Sequence, residues 1–333
     1  MASSTRNLTS GPATYSQSQK SLLSISVSRN FSFAKVAAIL TVTTGHWYTG
    51  TILWIPVTFG LLVFAFSSGY FTAALYGPDI DRGKFWRKKI ERLALRFWLA
   101  MGFIGLIAVL SGKSVVHWHT LIHLLGLSGV LNWVGIPNAS ALGLGLWFFT
   151  LLLIFYLIYP FLADATRSKF NAFLISVLGF ALAVCLEENV KVGHELWLTA
   201  YAFVVGVAFG AHPLRLKSSF MLAATLLLWG SLLALNMFGI KLLNTLLIGA
   251  GGIALAVWLT LTKLPQWNFI DRIASLERYV LEIFLIHMYL FLRPTGNETL
   301  NFFLSLGLII VVAVILGKFA ELISGIVFRD RRK

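Results

Sequence analysis

The chain has 333 residues, of which 58% are apolar and 12% are charged. Soluble domains carry about 25% charged and about 45–50% apolar residues, so this composition excludes an ordinary soluble domain and indicates an integral membrane protein. The formal net charge of +14 would suit a nucleic-acid binder. However, the basic residues lie between apolar runs on alternate sides, as membrane orientation signals do, so we expect no nucleic-acid partner. The single cysteine, Cys185, excludes an intramolecular disulfide and argues against a metal–thiolate cluster.

Apolar runs of about 20 residues, the length that a helix needs to cross ~30 Å of hydrocarbon, predict an all-α polytopic protein with about ten transmembrane helices. Residues 1–30, rich in Ser and Thr, predict a flexible cytoplasmic tail. Residues 31–326 form the predicted membrane domain, and 327–333 form a basic cytoplasmic tail. The predicted spans are 31–48, 52–75, 93–111, 143–163, 170–186, 195–211, 220–237, 242–262, 279–292 and 300–325.

Lysine and arginine concentrate on the cytoplasmic side of membrane proteins, and their positions set the predicted orientation. With the N-terminus inside, only Lys113, Lys191, Lys241 and Arg293 fall outside, and the other 23 of the 27 basic residues lie inside or at the inner end of a span. Both termini are therefore predicted to be cytoplasmic. The amphipathic stretch 117–135 is predicted to be an interfacial or re-entrant helix on the outer side.

The first span carries two ionisable side chains, Lys35 and His46, which are costly in lipid and therefore candidates for function. They are eleven residues apart. Eleven steps of 100° come within ~20° of three full turns, so both lie on one stripe of the helix, ~16 Å apart along its axis. Lys35 is predicted near the inner end and His46 near the outer end. The alternative is a lysine that extends to the interface and a hydrogen-bonded interfacial histidine.

Two further groups of polar residues follow. The second span ends in Ser68, Gly69 and Tyr70, and small residues at this density typically indicate close helix packing. The next connection is a basic helix in which Lys89, Arg92 and Arg96 fall on one face. This face predicts either topology control alone or a phosphate-binding surface, because ammonium and guanidinium groups suit polyanions.

The later spans carry aromatic and ionisable side chains. Trp147 begins an aromatic stretch in the fourth span, and membrane-interface belts explain most such residues. Glu282 and His287 lie in the apolar ninth span, five residues and ~140° apart, so direct pairing between them is not expected. A buried carboxylate at position 282 needs a partner from another helix, or it stays protonated.

Three histidines, His117, His119 and His123, lie in the amphipathic stretch. The i, i+4 spacing of the last two suits zinc. No acidic residue follows in the pattern of a zinc protease, so we interpret all three as interfacial histidines and predict no metal site.

Taken in order, these motifs resemble those of the acyltransferase 3 family of membrane acyltransferases. The family's first span has Arg or Lys, ten residues, and then His, as Lys35 and His46 do here. Its second span ends in a Ser-Gly-aromatic motif, which residues 68–70 match. Its next connection has two basic residues three apart after an aromatic-basic run, and Lys89 and Arg92 fit this, with Lys replacing the more usual Arg.

The stretch from Trp147 to Pro160 and the LEIFLIH stretch ending at His287 also resemble the family's later landmarks. The resemblance covers roughly residues 30–325. One departure is the fourth span, where many members have a Glu and this chain has Leu152 or Leu153.

The resemblance implies transfer of an acyl group, usually acetyl, from cytoplasmic acyl-coenzyme A to a hydroxyl of a cell-surface or lipid-linked saccharide. It implies a multi-pass protein of a bacterial inner membrane, with acetyl-CoA as co-substrate and no tightly bound cofactor. His46 would be catalytic, as general base. The cations assigned to the donor are Lys35, Lys89, Arg92 and Arg96. The residues assigned to substrate binding or to support of the site are Ser68, Tyr70, Trp147, Glu282 and His287.

Two other classes stay open from the sequence. A proton-coupled glycan or small-molecule transporter would use Lys35, His46 and Glu282 as a relay, and it predicts internal repeats with broken helices at corresponding positions. Residues 249–252 would serve as such a break, but we find no counterpart in the first half. A non-catalytic scaffold in a polysaccharide assembly complex would leave the aligned lysine and histidine unexplained.

Overall fold

A computed structural model describes residues 25–190, 192–193 and 195–327. These residues are all-helical, without a strand, as predicted from the sequence. Of the predicted tails, residues 1–24 and 328–333 lie outside the described residues, and the first helix of the described chain begins at Ile25, within the predicted N-terminal tail. The α-helices are α1 (Ile25–Trp47), α2 (Trp54–Tyr76), α3 (Arg82–Leu110), α4 (Trp118–Leu124), α5 (Ser128–Trp133), α6 (Trp147–Ala165), α7 (Lys169–Asn189), α8 (Leu196–Ala211), α9 (Ser218–Met237), α10 (Asn244–Leu261), α11 (Asn268–Ala274), α12 (Val280–Ile286) and α13 (Glu298–Val327).

Within the described residues, seven helices are long and apolar enough to cross a membrane. They are α2, α3, α6, α7, α9, α10 and most of α13. This set indicates a multi-pass membrane protein. The other three predicted spans correspond to α1, which carries charged side chains, to the 16-residue helix α8, and to a segment of short helices around α12. The total of ten spans and the orientation of the termini stay predictions.

The closest helix packing in the described chain is between α2 and α8. A Cβ atom at Gly69 would overlap the backbone oxygen of Phe203, and a Cβ at Gly206 would overlap that of Phe66. Glycine therefore lets the two backbones touch, which is the usual role of small residues between membrane helices. The prediction of close helix packing from the small residues of α2 is confirmed at Gly69.

The predicted amphipathic helix 117–135 is two short helices, α4 and α5, joined by a turn in which Gly126 has a φ of 75°. The turn is held against α6. The hydroxyl of Thr150 donates a hydrogen bond to the carbonyl of Gly126 and accepts one from the N–H of Gly129, each at 2.8 Å. Because both partners of Thr150 are backbone groups, the position of this connection is fixed relative to the bundle.

The segment that leads into α13 is broken rather than continuous. After α11 comes a 3₁₀ helix, Ser275–Tyr279, then α12, and then a second 3₁₀ turn, His287–Tyr289. This segment packs against α1, α3 and α13. It therefore carries Glu282 and His287 into the interior of the bundle and Glu277 to the wall of a cavity, each at a different level.

Candidate active site

A cavity of about 440 Å³ lies between α1, α2, α3, α6 and residues 277–284. One end, which we term the basic end, is lined by charged and hydroxyl-bearing side chains from the N-terminal halves of α1 and α3. Moving along α1 toward its C-terminus, the lining becomes apolar. The apolar residues of that deeper part include Ile39, Val42, Leu61, Phe64, Phe148 and Phe284.

The basic end has an excess of positive charge. Five cations and one carboxylate line the cavity. The cations are Lys35, Lys89, Arg92, Arg96 and Arg278, and the carboxylate is Glu277. A cavity wall of this charge attracts a polyanion, because several phosphate oxygens can be neutralised at once.

The ammonium group of Lys35 is paired with the carboxylate of Glu277. Its Nζ lies 3.0 Å from Oε1 of Glu277 and 5.4 Å from the ring centroid of Phe71. The charge of Lys35 is the main reason why the pKa of Glu277 lies below its ordinary value, against the opposing effect of burial. Glu277 is therefore ionised at neutral pH, and an anionic ligand that binds Lys35 must share it with this carboxylate.

Lys89 lies in a cage of three aromatic rings. Its Nζ is 4.1 Å from the ring centroid of Tyr156 and 5.4 Å from those of Tyr76 and Phe85, a cation–π arrangement that fixes the side chain. In the part of the chain that the structure describes, neither Lys89 nor the exposed Arg92 forms a salt bridge with a carboxylate. These two cations are therefore available to a ligand.

Arg96 has a different environment from the other cations. Its Nη1 lies 3.1 Å from Oε1 of Glu282 and donates to the carbonyl of Arg278 at 2.7 Å, and its Nη2 lies 3.4 Å from Glu321. Glu282 is only 1% exposed, and Arg96 is the partner from another helix that the sequence required for it. Arg96 therefore joins α3 to α12 and α13, and its assignment to the donor stays a prediction.

His46 and His287 face each other beyond the apolar end of the cavity. Their ring centroids are 5.3 Å apart. His287 is 1% exposed, and its Nδ1 donates a hydrogen bond to the carbonyl of Phe284 at 2.7 Å, since a carbonyl can only accept. Glu282 and His287 thus have separate partners, in agreement with their different faces on the segment.

The cavity lining stops one helical turn before His46. Val42 is the last residue of α1 in the lining. Phe284 closes the same end, with its ring centroid 5.7 Å from that of Phe148 and 6.0 Å from that of His287. The Phe284 ring therefore lies in the cavity wall on the side next to His287.

The turn that precedes α6 packs against the 3₁₀ turn that carries His287. The hydroxyl of Tyr289 accepts a hydrogen bond from the N–H of Leu144 at 2.7 Å. Gly145, with a φ of 72°, contacts Met288 so closely that a Cβ atom would lie 2.5 Å from its sulfur. This turn was not predicted as part of the site.

The remaining predicted site residues divide between the cavity and its supports. Ser68 lines the cavity and donates to the carbonyl of Phe64 at 3.0 Å. Tyr70 is outside the lining, in a stack of aromatic rings with Phe31 and Phe66. Trp147 is also outside the lining, where it is buried at the start of α6.

Two of the three histidines of residues 117–123 form hydrogen bonds that hold their own loop together. His123 is bonded through Nδ1 to the hydroxyl of Ser128 and through Nε2 to Oδ1 of Asn138, both at 2.9 Å. Nδ1 of His119 accepts from the N–H of Ala139 at 3.0 Å. These bonds tie α4 to the loop before α6, which accounts for both histidines in structural terms.

The chain is thus a multi-pass membrane protein with a cavity that is basic at one end, and with the imidazoles of His46 and His287 beyond the apolar end. A family model described as "Acyltransferase domain", that of the acyltransferase 3 family, matches residues 27–318. The chain therefore belongs to this family and is an acyltransferase. Comparison with curated proteins and with solved structures finds no match.

Proposed function

We propose that the protein is an O-acyltransferase that moves an acyl group, in the simplest case acetyl, from acyl-coenzyme A to a hydroxyl of a cell-surface or lipid-linked saccharide. Family membership supports the reaction class. The observation that carries the choice of donor is the polarity of the cavity, with five cations at one end and apolar walls toward the imidazole pair. Coenzyme A has the same polarity, because its phosphates are at one end and its thioester at the other.

In this proposal Lys89 and Arg92 bind the donor's phosphates, since neither forms a salt bridge in the described chain. Lys35 lies one level deeper and contacts the pyrophosphate in competition with Glu277. Arg96 adds positive potential while it remains bonded to Glu282. The arm of the donor then follows the apolar face of α1 from Ile39 to Val42.

The thioester must pass the phenylalanine rings to reach His46, which lies ~16 Å from Lys35 by helix rise. Because Phe284 and Phe148 close the apolar end, we infer that the arm displaces the Phe284 ring when it binds. Until the donor binds, the Phe284 ring would separate the cavity from the buried His287.

The chemical step assigned to His46 is general base catalysis. Its imidazole takes the proton of the acceptor hydroxyl as that oxygen attacks the thioester carbonyl. The tetrahedral intermediate then expels the thiolate of coenzyme A, which receives the proton from His46. The products are an ester of the saccharide and free coenzyme A, and the imidazole returns to its starting form.

The remaining expectations complete the proposal. Both termini face the cytoplasm, so the basic end opens toward cytoplasmic acyl-coenzyme A, and the acceptor approaches from the imidazole end. The family resemblance adds the expectation that the membrane is a bacterial inner membrane. Ser68 contributes to the cavity wall, whereas Tyr70 and Trp147 hold α2 and α6 in place beside it.

The test is thioester turnover by purified protein in lipid nanodiscs, measured as thiol release from acetyl-CoA with a saccharide acceptor present. Replacing His46 by alanine should lower turnover at least ~100-fold, within the usual contribution of a general base. The matched control is His117→Ala, an exposed histidine of the turn before α4, which should keep wild-type turnover. His46→Ala turnover near the wild-type value would end the assignment.

The transporter interpretation has the same ionisable residues but a different product. Family membership favours the enzyme. In proteoliposomes, solute movement without thioester cleavage would instead identify a carrier, and cleavage with ester formation would exclude it.

A further inference from the structure

His287 has one ring nitrogen with a fixed partner and one without. Its Nδ1–H donates to the carbonyl of Phe284, so in the neutral ring Nε2 carries the lone pair and can only accept a hydrogen bond. Nε2 is buried and has no hydrogen-bond partner among the described residues. A buried polar atom that lacks a partner costs about 1–3 kcal/mol, so such an atom next to a reactive group calls for an explanation.

The nearest titratable side chain to that nitrogen is His46. The ring centroids, 5.3 Å apart, are at a separation where two nitrogens that face each other come within hydrogen-bond distance. Catalytic hydrogen bonds are often long or misaligned in an empty site and tighten when the reactants bind. Since the hydrogen bond to Phe284 fixes the His287 ring, rotation of the His46 ring would align the pair.

We propose that His287 is the positioning residue of His46, and that its Nε2 accepts a hydrogen bond from a ring N–H of His46 in the loaded enzyme. This inference rests on the proposed function. The bond fixes the tautomer of His46, so that its other nitrogen is the one that takes the proton of the acceptor hydroxyl. It also stabilises the imidazolium that forms during the step, as the third member of a catalytic triad does.

The backbone of the 3₁₀ turn makes His287 suitable for this task. The carbonyl of Phe284 holds the proton on Nδ1, so the ring presents an acceptor rather than a donor toward His46. The same turn carries Tyr289, whose hydroxyl is bonded to the N–H of Leu144. His287 is therefore held by its own hydrogen bond to Phe284 and by that of Tyr289 to Leu144, and it can orient the ring of His46.

The test compares two replacements of His287 by steady-state kinetics in nanodiscs. Phenylalanine keeps the ring and removes the acceptor, and it should lower kcat at least ~100-fold while KM for acetyl-CoA changes less than about twofold. Glutamine places an oxygen acceptor near the position of Nε2, and it should recover at least a tenth of wild-type kcat. A merely structural role would predict no such recovery and would change kcat and KM together.

A double variant distinguishes failure of this inference from failure of the proposed function. If His287 acts through His46, then His46→Ala combined with His287→Phe should be no slower than His46→Ala alone. Additive losses, wild-type kcat in His287→Phe, or a glutamine variant as slow as phenylalanine would each overturn the inference. Wild-type protein without thioester turnover would instead overturn the proposed function. If His287→Phe fails to fold, His287→Leu takes its place in every comparison.

Discussion

Removal of the Lys89 charge is expected to weaken donor binding without unfolding the protein. In Lys89→Met the apolar stem keeps its contacts with Tyr76, Phe85 and Tyr156, and no salt bridge of the described chain is broken. The lost interaction is a charge-assisted hydrogen bond to a phosphate, about 1.5–3 kcal/mol. Since 1.4 kcal/mol is a factor of ten, Kd for coenzyme A should rise roughly 10-fold to 150-fold.

The assay is calorimetric titration of coenzyme A into protein held in nanodiscs, at fixed ionic strength. Lys84→Met is the matched control, because Lys84 lies on the same helix with its side chain 88% exposed and outside the cavity lining. Its Kd should stay within about twofold of wild type. Equal weakening in both variants, or weakening of acceptor binding as large as that of donor binding, would refute the assignment of Lys89 to the donor.

Two further changes test neighbouring features. Glu277→Gln should lower Kd for coenzyme A about two- to fivefold, because the carboxylate no longer competes for Lys35 in a partly exposed pair. Lys35 lowers the pKa of Glu277 in the folded protein. The contribution of this carboxylate to the free energy of unfolding is therefore complete above its pKa in the unfolded chain, about 4.3, and is lost as pH falls through its pKa in the folded protein. The difference in Tm between wild type and Glu277→Gln should thus be constant from pH 6 to 8, and it should disappear below about pH 4. Gly69→Ala should lower the free energy of unfolding by about 1–3 kcal/mol, because the Cβ of the alanine would overlap the backbone oxygen of Phe203.

Each of these has its own control. Weaker donor binding by Glu277→Gln would indicate that the carboxylate orients Lys35 rather than competes for it. For the glycine, Gly102→Ala adds the same methyl group to α3 at a site with open space around it, and its Tm should not fall. If Gly69→Ala melts at the same temperature as Gly102→Ala, the backbone contact between α2 and α8 is not as close as described.

The all-helical fold was predictable because long apolar runs can satisfy their backbone hydrogen bonds in lipid only as helices. The placement of Lys35 and His46 on one stripe was predictable for a similar reason, since helical periodicity fixes direction within a single element. The same reasoning left Glu282 either paired with a residue of another helix or protonated, and in the structure it is paired with Arg96.

What the sequence left open depends on contacts between distant segments. The pairing of His46 with His287, and of Lys35 with Glu277, joins residues about 240 positions apart, and no local pattern encodes such a contact. Glu277 had a signal, an acid just before an apolar run, but it lay in a 3₁₀ turn that helical periodicity does not anticipate. Phe284 was one phenylalanine among 27, and only the cavity distinguishes it.

In the proposed mechanism, one bound donor molecule extends from the basic end of the cavity to His46 and His287. The direct measurement is a structure of the protein with a non-reactive thioether analogue of acetyl-CoA. We expect the phosphates to lie against Lys89 and Arg92, the Phe284 ring to be displaced, and the thioether sulfur to lie beside His46. An analogue bound with its sulfur away from His46, or with His46 directed at lipid, would contradict this mechanism.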